Sequence, residues 1–438
     1  MLFFTMMRRV RVSVESVAFK GYGVARIRGK VAFVPYTLTG DEAWIEVMEE
    51  KKRHSTARLI QILKPSPGRV NPPCPYFGSC GGCQWQHIDY SIQVELKKEI
   101  LGETLKRLGG LKEIPPIIAA PSPKPYDYRV RVQLKGKGKA MGYYQERSHR
   151  IVDVDHCPIS HPLVNQIIQR LREQSDAVLR MEEVEINVSP EEGRGVLLFH
   201  PHSYDQRTEY FIKELLQGQT ILRGIVLARK DGVRLFGDPT LNFTIPLSQE
   251  REKKELKLRI SPGSFFQVNP EQNQRLVQTV LQFSEVDKED RVFDLYAGAG
   301  NLTLPLAMEA REVLGIEENR MAIGDAQFNA ERNGVKNCRF IRGKVEDVFL
   351  DWKREAPDLI VLDPPRTGCK AILDHVVRWK PKKIIYVSCE PTTFARDLRL
   401  FSERGYFLQR LSLIDMFPQT YHMEVVGLLK PNERARGI

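Results

Sequence analysis

The chain has 438 residues, and Lys and Arg outnumber Asp and Glu by 66 to 55, which gives a net charge of +11. Hydrophobic residues make up 42% of the chain, enough to bury several cores, so a disordered chain is excluded. This length predicts roughly three domains. The charge surplus favours a polyanionic partner, most often a nucleic acid.

The sequence argues against secretion and against a membrane anchor. The amino-terminal string MLFFTMMRRV places its apolar residues before the Arg pair, the reverse of a secretory signal. No apolar run approaches the roughly twenty residues that cross a bilayer. The seven cysteines are an odd number, which disfavours a disulfide framework. We therefore expect a cytoplasmic protein with reduced thiols and no membrane partner.

The amino-terminal region alternates apolar and polar positions over residues 8–64, with Gly and Asp residues between short runs. This pattern predicts a small all-β barrel, which we assign to residues 1–66. Lys20 and Arg26 contribute to a basic face, while Phe19 and Tyr22 offer rings on which bases stack. The barrel is therefore a candidate RNA-binding domain.

A cysteine-rich loop follows a Pro-rich linker. Cys74, Cys80 and Cys83 lie in PCPYFGSCGGCQW, and Cys157 follows in VDHCPIS. Three close thiolates and one distant thiolate suit either a tetrahedral zinc ion or an iron–sulfur cluster, and the spacing leaves both open. Cys338 and Cys369 have no partner cysteines in such a pattern and are interpreted as structural.

The middle of the chain predicts a β-rich domain over residues 67–265. It begins with a helix over about residues 92–108, and the Pro-rich string PPIIAAPSPKP then predicts a joint. The strings VEINVS, GVLLFH and GIVLARK predict strands, and PLVNQIIQRLREQ predicts an amphipathic helix.

From about residue 287 the pattern changes to strict alternation of strand and helix. The strings RVFDLY, EVLGIE, DLIVLD and KIIYVS predict buried parallel strands. We expect a Rossmann-like α/β domain over residues 266–438.

A Gly-rich turn opens this domain in the string FDLYAGAGNLTLPLA. Gly298 and Gly300 let the backbone approach a ligand at a helix amino terminus. Thr303 stands where a dinucleotide site needs a third small residue, which weakens an NAD or FAD site. Glu317 ends the next strand and is placed to bind ribose hydroxyls. Together these features favour S-adenosylmethionine.

The string DLIVLDPPRTG places Asp363 at the carboxyl end of a strand, where open α/β sheets bind ligands. Pro364 and Pro365 stiffen the backbone that follows it. Enzymes that methylate amino groups of bases have an aromatic residue after a related motif, whereas Arg366 stands here. Amino-group methylation is therefore the weaker enzymatic alternative.

Cys389 lies just past the predicted strand KKIIYVS and just before the helical string EPTTFARD. A thiol beside a helix amino terminus is expected to have a lowered pKa and to be reactive. The alternative is a buried, inert cysteine, because free cysteines are among the most buried residue types.

A cysteine nucleophile paired with a general base suits methylation of uracil. Carbon 5 of uracil is a poor nucleophile until a thiolate adds to carbon 6 and makes the ring an enolate. A base must then remove the proton on carbon 5. Glu424, in DMFPQTYHMEVV, is the candidate base, with His422 as the alternative.

The strings SPGSFFQVNPEQN, DLYAGAGNLTLPLA, LDPPRTG, VSCEPTTFARD and DMFPQTYHMEVV together resemble the RNA uracil-5 methyltransferase family. The resemblance implies S-adenosylmethionine-dependent synthesis of 5-methyluridine, with Cys389 as nucleophile and Glu424 as base. It also implies that Phe265 or Phe266 lies near the target base. The implied methyl-donor contacts are Gln267, Tyr296, Asn301, Glu317 and Asp363. Lys344 replaces an acid common in relatives and puts one contact in doubt.

One branch of this family carries a TRAM barrel and a 4Fe-4S cluster, and the chain resembles that branch. The resemblance implies a TRAM domain at the amino terminus and cluster ligation by Cys74, Cys80, Cys83 and Cys157. It also implies a monomer that acts on structured RNA, with 23S ribosomal RNA first and the T-loop of transfer RNA as the alternative. A non-catalytic RNA-binding or chaperone protein is the rival from another class.

Overall fold

The structure is a computed structural model that describes residues 9–173, 181–202, 206–217, 221–229, 232–247, 255–350 and 355–432. The amino-terminal segment 1–8 lies outside these ranges, as do Gln174 and Lys230 at the ends of two predicted elements. Among the described helices, none has the length and apolar character that a bilayer crossing requires.

The amino-terminal region folds into a closed five-stranded barrel with strand order β1-β2-β3-β5-β4, as the alternating pattern predicts. Small side chains such as Ala25 and Ala32 fill its centre with Val12, Val34 and Ile45, which lets the strands close on a narrow core. The strands are β1 (Arg9–Ala18), β2 (Tyr22–Ile27), β3 (Lys30–Val34), β4 (Glu42–Glu50) and β5 (His54–Lys64).

The cysteine loop leads into helix α1 (Tyr90–Arg107), whose first turn is capped by the Asp89 carboxylate. Strand β6 (Ile117–Ala120) follows and pairs in parallel with a strand near the carboxyl terminus. The predicted joint is therefore wrong over these four residues, because pairing with a distant strand overrides the local Pro signal. The early chain thus supplies an edge strand to the sheet described below.

The middle of the chain forms a seven-stranded sheet with order β13-β12-β11-β10-β7-β8-β9. Two amphipathic helices, α2 (Pro162–Glu173) and α3 (Gln206–Leu216), pack on it with their apolar faces. The strands are β7 (Arg131–Lys137), β8 (Ala140–Tyr144), β9 (Ile151–Asp153), β10 (Met181–Ser189), β11 (Arg194–Pro201), β12 (Leu222–Arg229) and β13 (Gly232–Gly237).

The last part of the chain builds an eight-stranded sheet with order β18-β17-β16-β19-β20-β22-β21-β6. Strands β18, β17, β16, β19 and β20 run parallel as predicted, and β22 lies antiparallel between β20 and β21. The strands are β16 (Arg291–Leu295), β17 (Glu312–Glu317), β18 (Cys338–Arg342), β19 (Leu359–Leu362), β20 (Lys383–Ser388), β21 (Tyr406–Ile414) and β22 (Glu424–Pro431).

Helices cover both faces of this sheet, so its central strands are buried almost throughout, whereas the outer strands β18 and β6 are partly exposed. The helices are α4 (Pro270–Ser284), α5 (Thr303–Ala307), α6 (Arg320–Arg332), α7 (Val345–Leu350), α8 (Leu373–Arg378) and α9 (Pro391–Ser402). A separate two-stranded sheet, β14 (Leu241–Pro246) and β15 (Glu255–Ile260), precedes α4 and contacts α6.

Candidate active site

Three of the predicted site residues meet at one edge of the eight-stranded sheet. Asp363 directly follows β19, Cys389 directly follows β20, and Glu424 begins β22. Because β22 runs antiparallel to β20 with Val425 opposite Ser388, the next step in register sets Glu424 opposite Cys389. The topology therefore brings one thiol and two carboxyl groups together from distant parts of the chain.

The thiol of Cys389 has a raised pKa, so the lowered pKa expected from its position is wrong for the protein without RNA. Burial raises this pKa to about 11, and the nearby carboxylate of Glu424 adds to the rise. The guanidinium of Arg366 opposes both effects through its charge and a hydrogen bond. Burial penalises the thiolate more than this helix end and Arg366 favour it.

The two carboxyl groups are also shifted towards their protonated forms. Glu424 is 3% exposed, and burial raises its pKa well above the usual value, with Asp363 contributing and Arg366 opposing. Burial likewise raises the pKa of Asp363 to about 7. Groups that hold their protons in the resting site and lie beside a cleft are typical of acid–base chemistry.

Arg366 is a site residue that the sequence analysis did not select. It was considered only as a departure from the amino-group methylation motif, yet its guanidinium lowers the pKa of both Cys389 and Glu424. The signal was present in the sequence, since a cation directly follows the two prolines after Asp363. It is the positive charge beside the thiol.

His422 is unsuited to act as the base. Its ring stacks on Tyr421 at 4.2 Å and lies 5.9 Å from Phe417. Burial and the charge of Arg366 lower its pKa to about 3, so the imidazole is neutral and weakly basic at neutral pH. Its ring instead packs with the aromatic side chains of Tyr421 and Phe417 that precede Glu424 in the chain.

A cleft of about 740 Å³, counted to its open mouth, lies at the same sheet edge; Asp363 lines it, whereas Cys389 and Glu424 are not among its lining residues. Four of the five predicted methyl-donor contacts line it, namely Gln267, Tyr296, Asn301 and Asp363. The fifth, Glu317, stands behind the Gly-rich turn and accepts a hydrogen bond of 3.0 Å from the Gly298 N–H group. A cleft of this size suits a nucleoside-sized ligand.

The Gly-rich turn has the conformation that its glycines allow. Gly298 and Gly300 have φ of 54° and 91°, in the region that other residues avoid. Tyr296 at the strand end shares this conformation with φ of 70°. The chain thereby turns sharply from β16 towards α5 and leaves the cleft open.

Asp294 is a second residue that the sequence analysis missed. Its side chain is 1% exposed and lines the cleft. Thr303 donates a 2.5 Å hydrogen bond to one carboxylate oxygen, while the other oxygen has no partner among the described residues. Burial raises its pKa to about 7. An unpartnered oxygen on a buried carboxyl group is unusual, which marks Asp294 as a candidate ligand contact.

The predicted base-contacting rings lie at the mouth of the cleft. Phe265 is 59% exposed, and the guanidinium of Arg131 lies 5.7 Å from its ring and 5.8 Å from that of Phe266. Both rings line the cleft. The exposed Phe265 ring is free to stack on a base.

Side chains on α6 and at its carboxyl-terminal cap, Asn333, bind the backbone of β15 and of the loop that carries these rings. Asn333 and Asn329 each donate to and accept from the backbone of one β15 residue, Lys257 and Arg259 respectively. One turn further, the Asp325 carboxylate accepts from the N–H group of Ser261 at 2.7 Å. Four residues of a helix rise about 6 Å and two residues of a strand rise about 6.6 Å, so side chains four apart on the helix match backbone groups two apart on the strand. The helix side chains therefore continue the hydrogen-bond ladder along β15.

Lys344 lies just past β18. Its side chain is exposed to solvent and is not part of the cleft lining. Its carbonyl accepts hydrogen bonds from Asp347 and Val348 and so begins α7.

The four cysteines proposed as metal ligands come together from two parts of the chain. Cys74, Cys80, Cys83 and Cys157 are free thiols that line a single cavity of about 600 Å³, counted to its open mouth. Burial raises the pKa of Cys80 to about 11, and the nearby Cys157 and Cys74 add to the rise. In the described ranges, no three His, Cys, Asp or Glu side chains are arranged to hold a metal ion.

The two barrel rings predicted to stack on bases have partners within the protein. The Tyr22 hydroxyl donates to Glu146 at 2.7 Å, and Arg147 lies 5.4 Å from its ring. Phe19 packs edge-on against Tyr421 at 5.7 Å. The barrel therefore contacts the middle domain through Glu146 and the segment just before Glu424 through Tyr421.

A mostly parallel sheet of this order, with one antiparallel strand and its cleft at the Gly-rich turn, is typical of the Rossmann-like class of S-adenosylmethionine-dependent methyltransferases. Comparison with known proteins narrows the class. The family described as tRNA (Uracil-5-)-methyltransferase matches residues 89–432, and a TRAM domain of tRNA (uracil(54)-C(5))-methyltransferase matches residues 10–67. The chain belongs to the RNA uracil-5-methyltransferase family and is a methyltransferase that uses S-adenosylmethionine.

Individual relatives align along the whole chain. A protein of Aquifex aeolicus described as an uncharacterized RNA methyltransferase is 36% identical, over 96% of this chain and 98% of the relative. The 23S rRNA (uracil(1939)-C(5))-methyltransferase RlmD of Pectobacterium atrosepticum is 35% identical, over 96% and 93%. The solved Pyrococcus abyssi tRNA (uracil-54, C5)-methyltransferase, in complex with S-adenosyl-L-homocysteine, has a TM-score of 0.75 at 26% identity and covers 96% of this chain and 99% of its own.

Proposed function

We propose that Cys389 and Glu424 methylate carbon 5 of a uridine in 23S ribosomal RNA. The observation that carries the proposal is the register of β20 and β22, which sets this thiol opposite this carboxyl group beside the cleft. The Cys389 thiolate adds to carbon 6, and the electron pair of the ring double bond moves to make an enolate. Carbon 5 then takes the methyl group of S-adenosylmethionine, whose methyl carbon–sulfur bond breaks with its electron pair left on the departing S-adenosyl-L-homocysteine.

Glu424 completes the reaction as general base. Its carboxylate takes the proton of carbon 5, and the electron pair of that bond restores the double bond to carbon 6. The bond between carbon 6 and sulfur breaks, and its pair returns to Cys389 as a thiolate. Arg366 supports both roles, because its charge lowers the pKa of each group.

The cleft supports binding of a cationic methyl donor. Asp294 and Asp363 present carboxyl groups to it, and the donor carries a positive sulfonium and an amino group. Glu317 is the proposed partner of the ribose hydroxyls. Gln267, Tyr296 and Asn301 are the remaining proposed contacts.

The covalent step is tested with RNA that contains 5-fluorouridine. Carbon–fluorine bonds are not broken by a base, so the adduct to Cys389 should survive in a denaturing gel when S-adenosylmethionine is present. Cys389→Ala should give no adduct while still binding the RNA. Bound RNA without any adduct to the unaltered protein would refute the mechanism and favour a non-catalytic RNA-binding protein.

The named relatives support ribosomal RNA as the substrate. The Pectobacterium relative acts on 23S rRNA by its name and aligns over nearly its full length. Transfer RNA is the alternative, favoured by the name of the Pyrococcus protein of similar fold. Mapping 5-methyluridine by mass spectrometry in cells with and without this gene should locate one missing site in the large-subunit RNA. A missing site in the T-loop instead would assign the substrate to transfer RNA.

We also propose that Cys74, Cys80, Cys83 and Cys157 hold a 4Fe-4S cluster. Support comes from the four free thiols, which line one cavity although two distant parts of the chain supply them. The resemblance to the cluster-carrying branch of the family favours the iron–sulfur cluster over a zinc ion, which the same thiols could also bind. The cluster would organise the loop that joins the barrel to α1 and would need no redox role.

The metal content is measured on protein purified without oxygen. We expect roughly four iron atoms per chain and a brown colour, with Cys83→Ser losing both. Cys338→Ser is the matched control and should keep them. Stoichiometric zinc in place of iron would refute the cluster.

The partner and location follow from the proposed substrate. A monomer that binds folded RNA through its barrel and middle domain, in the cytoplasm where ribosomal RNA is processed, is consistent with the net charge of +11. We propose domains over residues 1–66, 67–265 and 266–438, with strand β6 of the middle range contributed to the sheet of the last domain. The target uridine must leave its stack to reach Cys389.

A further inference from the structure

The segment 415–423 joins β21 to β22 and delivers Glu424 to the site. Its polar groups are bound largely by residues from the early chain. The ammonium group of Lys97 on α1 donates to the Asp415 carboxylate at 2.6 Å and to the Phe417 carbonyl at 3.1 Å. Both charged side chains are fully buried.

Gln93, one turn earlier on α1, fastens the middle of the segment. Its amide nitrogen donates to the Gln419 side-chain oxygen at 2.9 Å, and its oxygen accepts from the Gln419 N–H group at 3.0 Å. The Gln419 carbonyl accepts from the N–H groups of Gln84 and Trp85. Gln419 has φ of 67°, a conformation that an unrestrained residue of this type rarely adopts. Its backbone therefore depends on these contacts.

Two tyrosine hydroxyls complete the attachment. Tyr90 donates to the second Asp415 oxygen at 2.8 Å, and Tyr128 donates to the Pro418 carbonyl at 3.1 Å. Tyr128 packs in turn against Cys83 of the cysteine loop. The catalytic sheet's own helix α4 contributes Gln272, which donates to the Asp415 carbonyl.

A buried ion pair is a poor source of stability, because desolvation offsets most of its attraction. Such a pair can instead hold two parts of the chain in one relative position, and the pair of Lys97 and Asp415 holds α1 against the segment that precedes Glu424. A general base must come within about 3 Å of the proton it removes, so a small displacement of the segment matters at that step.

We propose that Gln93 and Lys97 are positioning residues for proton removal from carbon 5. The proposal rests on the proposed role of Glu424 as the base. In the step they serve, the proton passes from carbon 5 to the Glu424 carboxylate, the freed pair forms the double bond to carbon 6, and the sulfur leaves with its own pair. Formation of the adduct by Cys389 and binding of the methyl donor do not need them.

The test separates formation of the methylated adduct from its breakdown. Protein is mixed once with an in vitro transcript of 23S ribosomal RNA and methyl-labelled S-adenosylmethionine, and the labelled protein–RNA complex is followed on denaturing gels. Gln93→Leu should slow decay of this complex by tenfold or more. Its rate of formation and the donor affinity should change less than twofold.

Lys97→Met leaves the Asp415 carboxylate buried without its partner and endangers folding. The double variant Lys97→Met with Asp415→Asn removes both charges, and its adduct should also decay slowly. Lys98→Met is the matched control, because the neighbouring Lys98 faces solvent beside Glu95. It should behave as the unaltered protein.

Glu424→Gln is the benchmark for a missing base and should accumulate the same methylated complex. If it does not, the assignment of Glu424 fails, and with it the ground of this proposal. If it does, but Gln93→Leu and the double variant release RNA at the unaltered rate, the positioning role is refuted. An equal loss of formation and breakdown in those variants would indicate general disruption and would also refute it.

Discussion

At the scale of single residues, the Cys389 thiol is subject to two opposed influences. Burial and Glu424 raise its pKa to about 11, while Arg366 lowers it. A thiol in this state stays protonated at neutral pH, which protects it from oxidation and adventitious alkylation. Reactivity must therefore arise when RNA and the methyl donor change the surroundings.

This gives a pH prediction for the protein without RNA. The rate of Cys389 alkylation by iodoacetamide, followed by peptide mass spectrometry, should rise about tenfold per pH unit between pH 7 and 9, because only the thiolate reacts. Arg366→Met should lower the rate at each pH, since the opposing charge is lost. A plateau below pH 8 would show that the thiol is already ionised.

Asp294 yields a second prediction at this scale. Replacement by Asn keeps the shape and the Thr303 contact but removes the negative charge of this cleft-lining side chain. Hydrogen bonds to charged groups contribute about 1.5 to 3 kcal/mol, so affinity for S-adenosylmethionine should fall at least tenfold by calorimetry. Asp358→Asn, at the opposite edge of the sheet, should leave it unchanged.

The sign of the pH effect on donor binding follows from the same groups. The pKa values of Asp294 and Asp363 are raised to about 7, and a cationic ligand binds their ionised forms. Affinity of the unaltered protein should therefore weaken as the pH falls from 8 to 6. An affinity that strengthens on acidification would contradict this account.

At the scale of elements, α6 acts as an additional partner for β15. Asn329 meets the backbone of Arg259 on both its donor and its acceptor, and it also donates to the Ala299 carbonyl in the Gly-rich turn. One side chain thus joins the loop of Phe265 to the turn around the methyl donor. The two halves of the cleft are held together by this helix.

Replacing Asn329 with Ala should lower the free energy of unfolding by about 2 kcal/mol, because buried backbone groups lose their partners. Guanidinium denaturation followed by fluorescence measures this change. Glu331→Ala, exposed on the same helix, should change it by less than about 0.5 kcal/mol. If both substitutions lowered the free energy of unfolding equally, the stabilising role of the hydrogen bonds between α6 and β15 would be refuted.

The sequence predicts the elements whose signals are local. The parallel strands β16, β17, β19 and β20 are predominantly apolar, and the Gly-rich turn has glycines where φ is positive. Strand β6 was missed because prolines flank it and its partner β21 is distant. Asp294 and the pair of Lys97 and Asp415 were missed for a related reason, since burial and pairing at such separations leave no local pattern.

At the scale of the whole molecule, the net charge of +11 predicts how RNA binding responds to salt. If about six phosphates of single-stranded RNA are contacted, affinity should fall roughly 300-fold between 50 and 200 mM salt. Filter binding measures this change, and affinity for S-adenosyl-L-homocysteine serves as the control. An RNA affinity independent of salt would contradict binding through the basic surface.

The pairing of β6 with β21 also has a consequence for how the chain is made. The hydrogen bond between Ser412 and Ile118 spans 294 residues, which take roughly 15 to 60 s to synthesise. During that time α1 and β6 lack the partners that bury them in the final fold. One of these partners is the Asp415 carboxylate, which forms an ion pair with Lys97. Strands β21 and β22, which are synthesised later, supply these partners, and β22 begins with Glu424. Burial of α1 and β6 and arrival of the proposed base at the site are therefore one event.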